Sequence, residues 1–185
     1  VNILLTGMPG VGKTTLIRKL VEALDRPARG FYTEEIREKG KRLGFKIATL
    51  DGREGVLAHE TIRGSQRVGR YGVSTADLEA IGIPAITPAS PDEIIVVDEI
   101  GKMECASEAF KDAAWRALES PNLVLGTIAR KGVGFIARVK GRSDVKLFDV
   151  TRQNRDHLAG QILHALGGAK RGVATHSDHA GEEKG

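Results

Sequence analysis

Two short stretches of the 185-residue chain carry residue types suited to phosphate chemistry: Gly7 to Thr15, reading GMPGVGKTT, and the adjacent carboxylates Asp98 and Glu99 after the apolar run EIIVV. In the first, Gly7, Gly12, Lys13 and Thr14 occupy the fixed positions of a GxxxxGKT pattern. Main-chain amides can wrap a phosphate only where side chains do not block the approach, which is the use of the glycines. The residues after Gly12 read as a helix, whose first turn adds unsatisfied N–H donors and the positive end of a dipole. Lys13 can reach the β and γ phosphates as a point charge, and the Thr14 hydroxyl can ligate Mg²⁺. Gly7, Met8, Pro9, Gly10, Val11, Gly12, Lys13, Thr14 and Thr15 are therefore expected to bind nucleotide phosphates, with Lys13 also serving catalysis. Against the plainer alternative of a glycine-rich turn, the strand before it and the helix after it favour phosphate binding.

In an open parallel sheet the carboxyl ends of the strands gather at one edge, beside such a loop. If EIIVVDE is a strand of that sheet, Asp98 faces Lys13 and Thr14 across the phosphates and can hold the Mg²⁺ hydration shell, the Walker B role. Alternation along a strand predicts that Glu99 points away from the metal position. There it can orient a water for in-line attack and take its proton. The pair reads as metal partner plus hydrolytic base; the alternative is that Glu99 merely ends a strand or caps a local turn.

The elements that position these groups follow from periodicity. Ile3 to Leu5 reads as a strand, and apolar residues at Leu16, Ile17, Leu20, Val21 and Leu24 form one stripe of a helix. Residues 30 to 36, 42 to 50 and 55 to 60 are strand-like runs joined by REKGK and DGRE, turns too short for anything but antiparallel pairing. Residues 61 to 92 carry Arg63, Arg67, Arg70 and Tyr71, a short helix ADLEAIG capped by Ser74 or Thr75, and then a proline-bearing lead into EIIVVDE. A lid over the nucleotide and a solvated connector both suit the arginine-bearing part. Strands at 122 to 128 and 145 to 150 alternate with helices near 107 to 118, 133 to 139 and after Thr151, which implies parallel strands with right-handed crossovers. Thr127 is thereby brought toward the attacking water, and Arg130, Lys131, Arg152 and Arg155 follow strand ends where a cation can meet the γ-phosphate, Arg130 and Arg155 being the favoured arginine fingers.

The totals set limits. A net charge of +4 is spread among interleaved acids and bases, and aromatics make up 4%, so a nucleic-acid platform is disfavoured and RNA is kept only as a minor partner. The single cysteine, Cys105, excludes an intrachain disulfide and suits the cytoplasm. Cys105 and Met103 read as core residues, while Lys102 and Glu104 suit either a local ion pair or the site. No apolar run approaches a membrane span, the amino end reads as a strand entering the fold, and a monomer or weak homo-oligomer is expected. Residues 167 to 185 have almost no apolar content and read as a disordered tail, in which His176 and His179 are not expected to bind metal.

GMPGVGKTTL, GFYTEEIREKGKRLGFKIATLDG, VGRYGV, VVDEIGKME, LGTI and VTRQNRDHL, in that order, resemble the THEP1-type nucleoside-triphosphatases across about residues 2 to 165. The resemblance implies an α/β, three-layer P-loop NTPase fold, RecA-like or AAA-like, over residues 1 to 166. Its central sheet is expected to be mostly parallel, with a small antiparallel addition. It also implies Mg²⁺-dependent hydrolysis of ATP, GTP and other nucleoside triphosphates to diphosphate and phosphate, with tolerance of several bases. The absence of an NKxD-type base-reading motif agrees, and Tyr32 or Tyr71 is a candidate to stack on any base. Two other readings remain open. A small-molecule or nucleotide kinase would use Glu99 to activate a substrate hydroxyl; an RNA-associated switch would use slow hydrolysis to reset a binding surface.

Overall fold

The computed structural model describes residues 1–64 and 66–166; the expected tail, with His176 and His179, lies outside the described residues. Strand β1 (Asn2–Gly7) is buried along its whole length, as a strand covered on both faces must be. It runs parallel to β8 (Leu123–Ile128) on one side and β9 (Val145–Val150) on the other. Beyond β8 come β7 (Ile94–Ile100) and then β2 (Ala28–Glu38), again parallel. Alternation sends Ile3 and Leu5 to one face and Leu4 to the other.

The first face is covered by α1 (Lys13–Leu24) and α6 (Arg155–Ala165), whose Leu16, Ile17, Leu20, Leu158 and Ile162 pack on Ile3, Leu5, Val96 and Leu125. The second is covered by α4 (Glu108–Glu119) and α5 (Phe135–Lys140), whose Phe110, Ala117, Ile136 and Val139 pack on Leu4, Ile95, Val97 and Val124. Three layers result. Each fully buried Leu or Ile is worth about 1.5–3 kcal/mol relative to exposure, so the stripe of α1 fixes the helix that begins at Lys13. Ser107 caps α4, its Oγ accepting from Phe110 N at 3.0 Å.

The long strand β2 joins two kinds of sheet. Its first half pairs in parallel with β7, while from Phe31 onward it pairs antiparallel with β3 (Lys41–Thr49). The β2–β3 connection is the two residues Lys39 and Gly40, both at positive φ, as tight hairpins require. β4 (Glu54–His59), β6 (Tyr71–Val73) and β5 (Arg67–Val68) extend this wing, giving one nine-stranded sheet in the order β5-β6-β4-β3-β2-β7-β8-β1-β9.

Here the structure departs from the expected arginine-bearing loop. Tyr71 and Val73 are buried beside Ala58, so this stretch becomes a sheet edge. Arg67 donates to the Arg70 carbonyl, and Arg70 to the Arg42 carbonyl and the Tyr71 hydroxyl, which ties both into the wing. Ser74 precedes α2 (Thr75–Asp77) without a side-chain cap. A π turn (Leu78–Gly82) and α3 (Ile83–Ile86) carry the helical run past the expected ADLEAIG, because Leu78 and Ile86 bury against Phe31 and Ile47. The last helix begins at Arg155, after a turn in which Thr151 N donates to Asn154 Oδ1 at 2.8 Å and Asn154 N to Thr151 Oγ1 at 3.2 Å.

Candidate active site

β1 delivers the chain to Gly7, and α1 takes it up at Lys13. A Cβ on Gly7 would sit 2.5 Å from the Val150 carbonyl, so a side chain there would push β1 from β9. Gly12, at φ 105°, bends the loop into the helix in a conformation that side chains disfavour. Lys13 Nζ donates to the Gly7 carbonyl at 3.3 Å and the Met8 carbonyl at 3.2 Å, which holds its ammonium across the loop it closes.

The expected partner lies opposite. Thr14 Oγ1 donates to Asp98 Oδ2 at 2.6 Å, tying the first turn of α1 to the end of β7. Thr127 Oγ1, at the end of β8, donates to Asp98 Oδ1. Thr127 is fully buried, and its hydroxyl orients the Asp98 carboxylate. Burial pushes the Asp98 carboxyl above its ordinary range, against the hydroxyl hydrogen bonds and the Lys13 charge, which pull it down.

Glu99 lines the same cavity as Asp98. The pairing of β7 with β8 shifts register between Val97 and Ile100. The Asp98–Glu99 peptide is cis. Burial raises the Glu99 carboxyl as well; Lys13 opposes the shift and Asp98 adds to it. Glu104, undecided from sequence, is 3% exposed and accepts from Gly101 N at 3.1 Å. Burial, reinforced by the Glu99 charge, pushes its carboxyl up to about 8. Its neighbour Cys105 is pushed up to about 12 by burial, in keeping with a packing role.

Two cavities flank the loop. The larger, about 660 Å³, holds Lys13, Thr14, Thr15, Asp98, Glu99 and Glu104. The smaller, about 440 Å³, lies between the loop at Met8 to Val11 and the end of β9 at Asp149 to Gln153, with Arg130 on its wall. Sheet order places β7 and β9 on opposite sides of β1, so the cavities occupy opposite flanks of the loop. Both favoured arginines reach the loop. Arg130 Nη1 lies 3.1 Å from Met8 Sδ, and Arg155 Nη1 donates to the Val11 carbonyl at 3.4 Å. Arg152 lines the smaller cavity; Lys131 lines neither.

The tyrosines do not offer stacking faces. Tyr32 is 7% exposed with the Arg18 guanidinium 3.8 Å from its ring centre, and Tyr71 is 6% exposed with its hydroxyl bonded to Arg42 and Arg70. Neither lines a flanking cavity. Among the described residues no cluster of three or more His, Cys, Asp or Glu is arranged to hold a metal, and no helix is long and apolar enough to cross a membrane.

Comparison with known proteins bears on the whole of this architecture. A family model described as NTPase matches residues 2–163. The chain is 46% identical over 166 residues to a nucleoside-triphosphatase THEP1 of Thermotoga sp. (strain RQ2), covering 89% of this chain and 95% of that one. It is 38% identical over 187 residues to a human cancer-related nucleoside-triphosphatase, covering 92% and 98%. Among solved structures, the crystal structure of THEP1 from the hyperthermophile Aquifex aeolicus is similar with a TM-score of 0.79 at 34% identity, over 90% of this chain and 99% of that one.

Proposed function

The chain belongs to the NTPase family and is a nucleoside-triphosphatase, and we propose that its triphosphate lies across the loop with the γ-phosphate toward β7 and the nucleoside toward β9. The observation that carries this reading is the 2.6 Å bond from Thr14 to Asp98, which brings the loop helix and the acidic strand end together at one point. On that flank Glu99 is the group free to act on water. Its carboxylate takes a proton as the water oxygen attacks the γ-phosphorus and the bond to the β–γ bridging oxygen breaks. Lys13 neutralises charge on the β and γ phosphates, and main-chain amides from Gly7 to Thr15 hold them.

Thr14 and Asp98 supply hard oxygen donors side by side, a donor set that fits Mg²⁺. When bound there the ion would neutralise the phosphate charge, with Thr127 holding the Asp98 carboxylate in orientation.

The β9 flank supports tolerance of several bases. Arg130, Arg152 and Gln153 stand in solvent around the smaller cavity, a wall that can cover a base without reading its edge. A cytoplasmic location is part of this proposal, on the strength of a single, half-buried cysteine.

The test is phosphate release from ATP, GTP, CTP and UTP, with Mg²⁺ or with a chelator, and with or without RNA. Comparable release from all four, abolished by chelation and indifferent to RNA, is the expected outcome. Release confined to one nucleotide, or undisturbed by chelation, contradicts the proposal.

A further inference from the structure

The larger cavity does not end at the phosphates. Past Asp98 and Glu99 it continues across β2 and β3 to Thr33, Glu35, Arg42 and Phe45, and is closed by Val68 of β5 and by Met103. Sheet order sets these strands on the side of β7 away from β1 and β9. With the nucleoside on the β9 flank, the wing therefore faces the γ-phosphorus along the line of attack, opposite the leaving diphosphate. The whole cavity, phosphate end included, measures about 660 Å³, within the range of sites that enclose small organic molecules.

The lining sets the chemistry of an occupant. Arg42 Nη1 is bonded to Glu35 Oε1 at 2.7 Å and its Nε to the Tyr71 hydroxyl, so its charge is offset within the wall. At the inner end the carboxylates Asp98, Glu99 and Glu104 outnumber the one ammonium of Lys102, which favours an uncharged second substrate over a nucleoside monophosphate. Phe45, Val68 and Met103 supply apolar surface suited to a flat ring. Thr33 Oγ1 lies 3.5 Å from Glu104 Oε1, and Thr33, Glu104 and Glu99 all line this cavity. Hydroxyl-binding groups thus lead from the apolar wall to the base.

We propose that the wing half of this cavity binds an uncharged nucleoside as a second substrate, and that a sugar hydroxyl of this nucleoside competes with water for the γ-phosphoryl group. This rests on the triphosphate orientation given above. The hydroxyl oxygen forms the new bond to the γ-phosphorus while the bond to the β–γ bridging oxygen breaks. The electron pair leaves with the nucleoside diphosphate, and the hydroxyl proton passes to the Glu99 carboxylate.

The test incubates the full chain with Mg²⁺, ATP labelled in its γ-phosphate, and adenosine, guanosine, cytidine or uridine in turn, and separates the labelled products. Labelled nucleoside monophosphate is expected from at least one nucleoside, with phosphate release falling as it forms. Phe45→Leu keeps bulk and loses the ring, and is expected to lower the ratio of monophosphate to phosphate about tenfold. Thr33→Val, close in shape, is expected to lower the same ratio. Steady phosphate release with no labelled monophosphate from any nucleoside at millimolar concentration overturns the second site and leaves hydrolysis intact. Labelled monophosphate with no release to water supports the second site and instead removes water as the natural acceptor.

Discussion

On the β7 side of the phosphate loop Asp98 is 3% exposed and held by two hydroxyls, whereas on the β9 side Arg130, Arg152 and Gln153 stand in solvent around an open wall. In the proposed orientation both sides serve one substrate. The difference is that bond breaking at phosphorus needs groups fixed to fractions of an ångström in a dry setting. Covering a nucleoside without choosing among bases needs neither. The buried flank is accordingly built from ends of central strands, where burial on both faces fixes the backbone, and the exposed flank from a turn and a helix start.

If that contrast is real, substitutions should lose effect steadily from the first flank to the second. Glu99→Gln is expected to lower turnover by about 10² to 10⁴ while nucleotide binding persists; steady-state rates and a binding titration check it together. Thr127→Val removes the donor that orients Asp98 and should cost about 10- to 100-fold in Mg²⁺ affinity or turnover, read from the dependence of rate on Mg²⁺.

Glu104 tests whether the β7 flank is dry. Burial lifts the Glu104 carboxyl from its ordinary 4.5 to about 8 in the folded chain, so between those values the folded chain holds a proton that the unfolded chain releases. Its contribution to stability is fully present below about 4.5 and is lost as pH rises to about 8. Tm should therefore fall from about pH 5 to about pH 8 more steeply in the native chain than in Glu104→Gln; parallel melting curves would show that the flank is wet. Least affected should be Arg152→Ala, at about 2- to 5-fold in affinity, equal for ATP, GTP, CTP and UTP. A loss concentrated on one nucleotide would show that the β9 wall reads the base after all.

What could be read from sequence divides along physical lines. The phosphate loop, α1 and the acid-ended strand were legible because each is a local pattern: glycines at fixed offsets, an apolar stripe, an apolar run stopped by charge. Hairpin lengths likewise announced the antiparallel wing. That this wing continues the parallel sheet through a shared β2 was not legible, since it depends on pairing between distant segments. The same reason hid the neighbours of Thr127 and Glu104. The acceptor of the Thr127 hydroxyl lies on another strand, and the burial of Glu104 comes from elements packed around it. Tyr32 and Tyr71 misled because ring count says nothing of what covers a ring. Arg18 lies over one, and Arg42 and Arg70 hold the hydroxyl of the other. The register shift between Val97 and Ile100 was not legible either, because no residue type signals it.

Everything above turns on which way the triphosphate lies. A crystal structure with Mg²⁺ and the imido analogue of ATP, in which nitrogen replaces the β–γ bridging oxygen, reads this directly. The γ-phosphorus should lie between Lys13 and Glu99 and the base beside Thr151 to Gln153; a base seated against Phe45, with the phosphates running back toward β9, would contradict it.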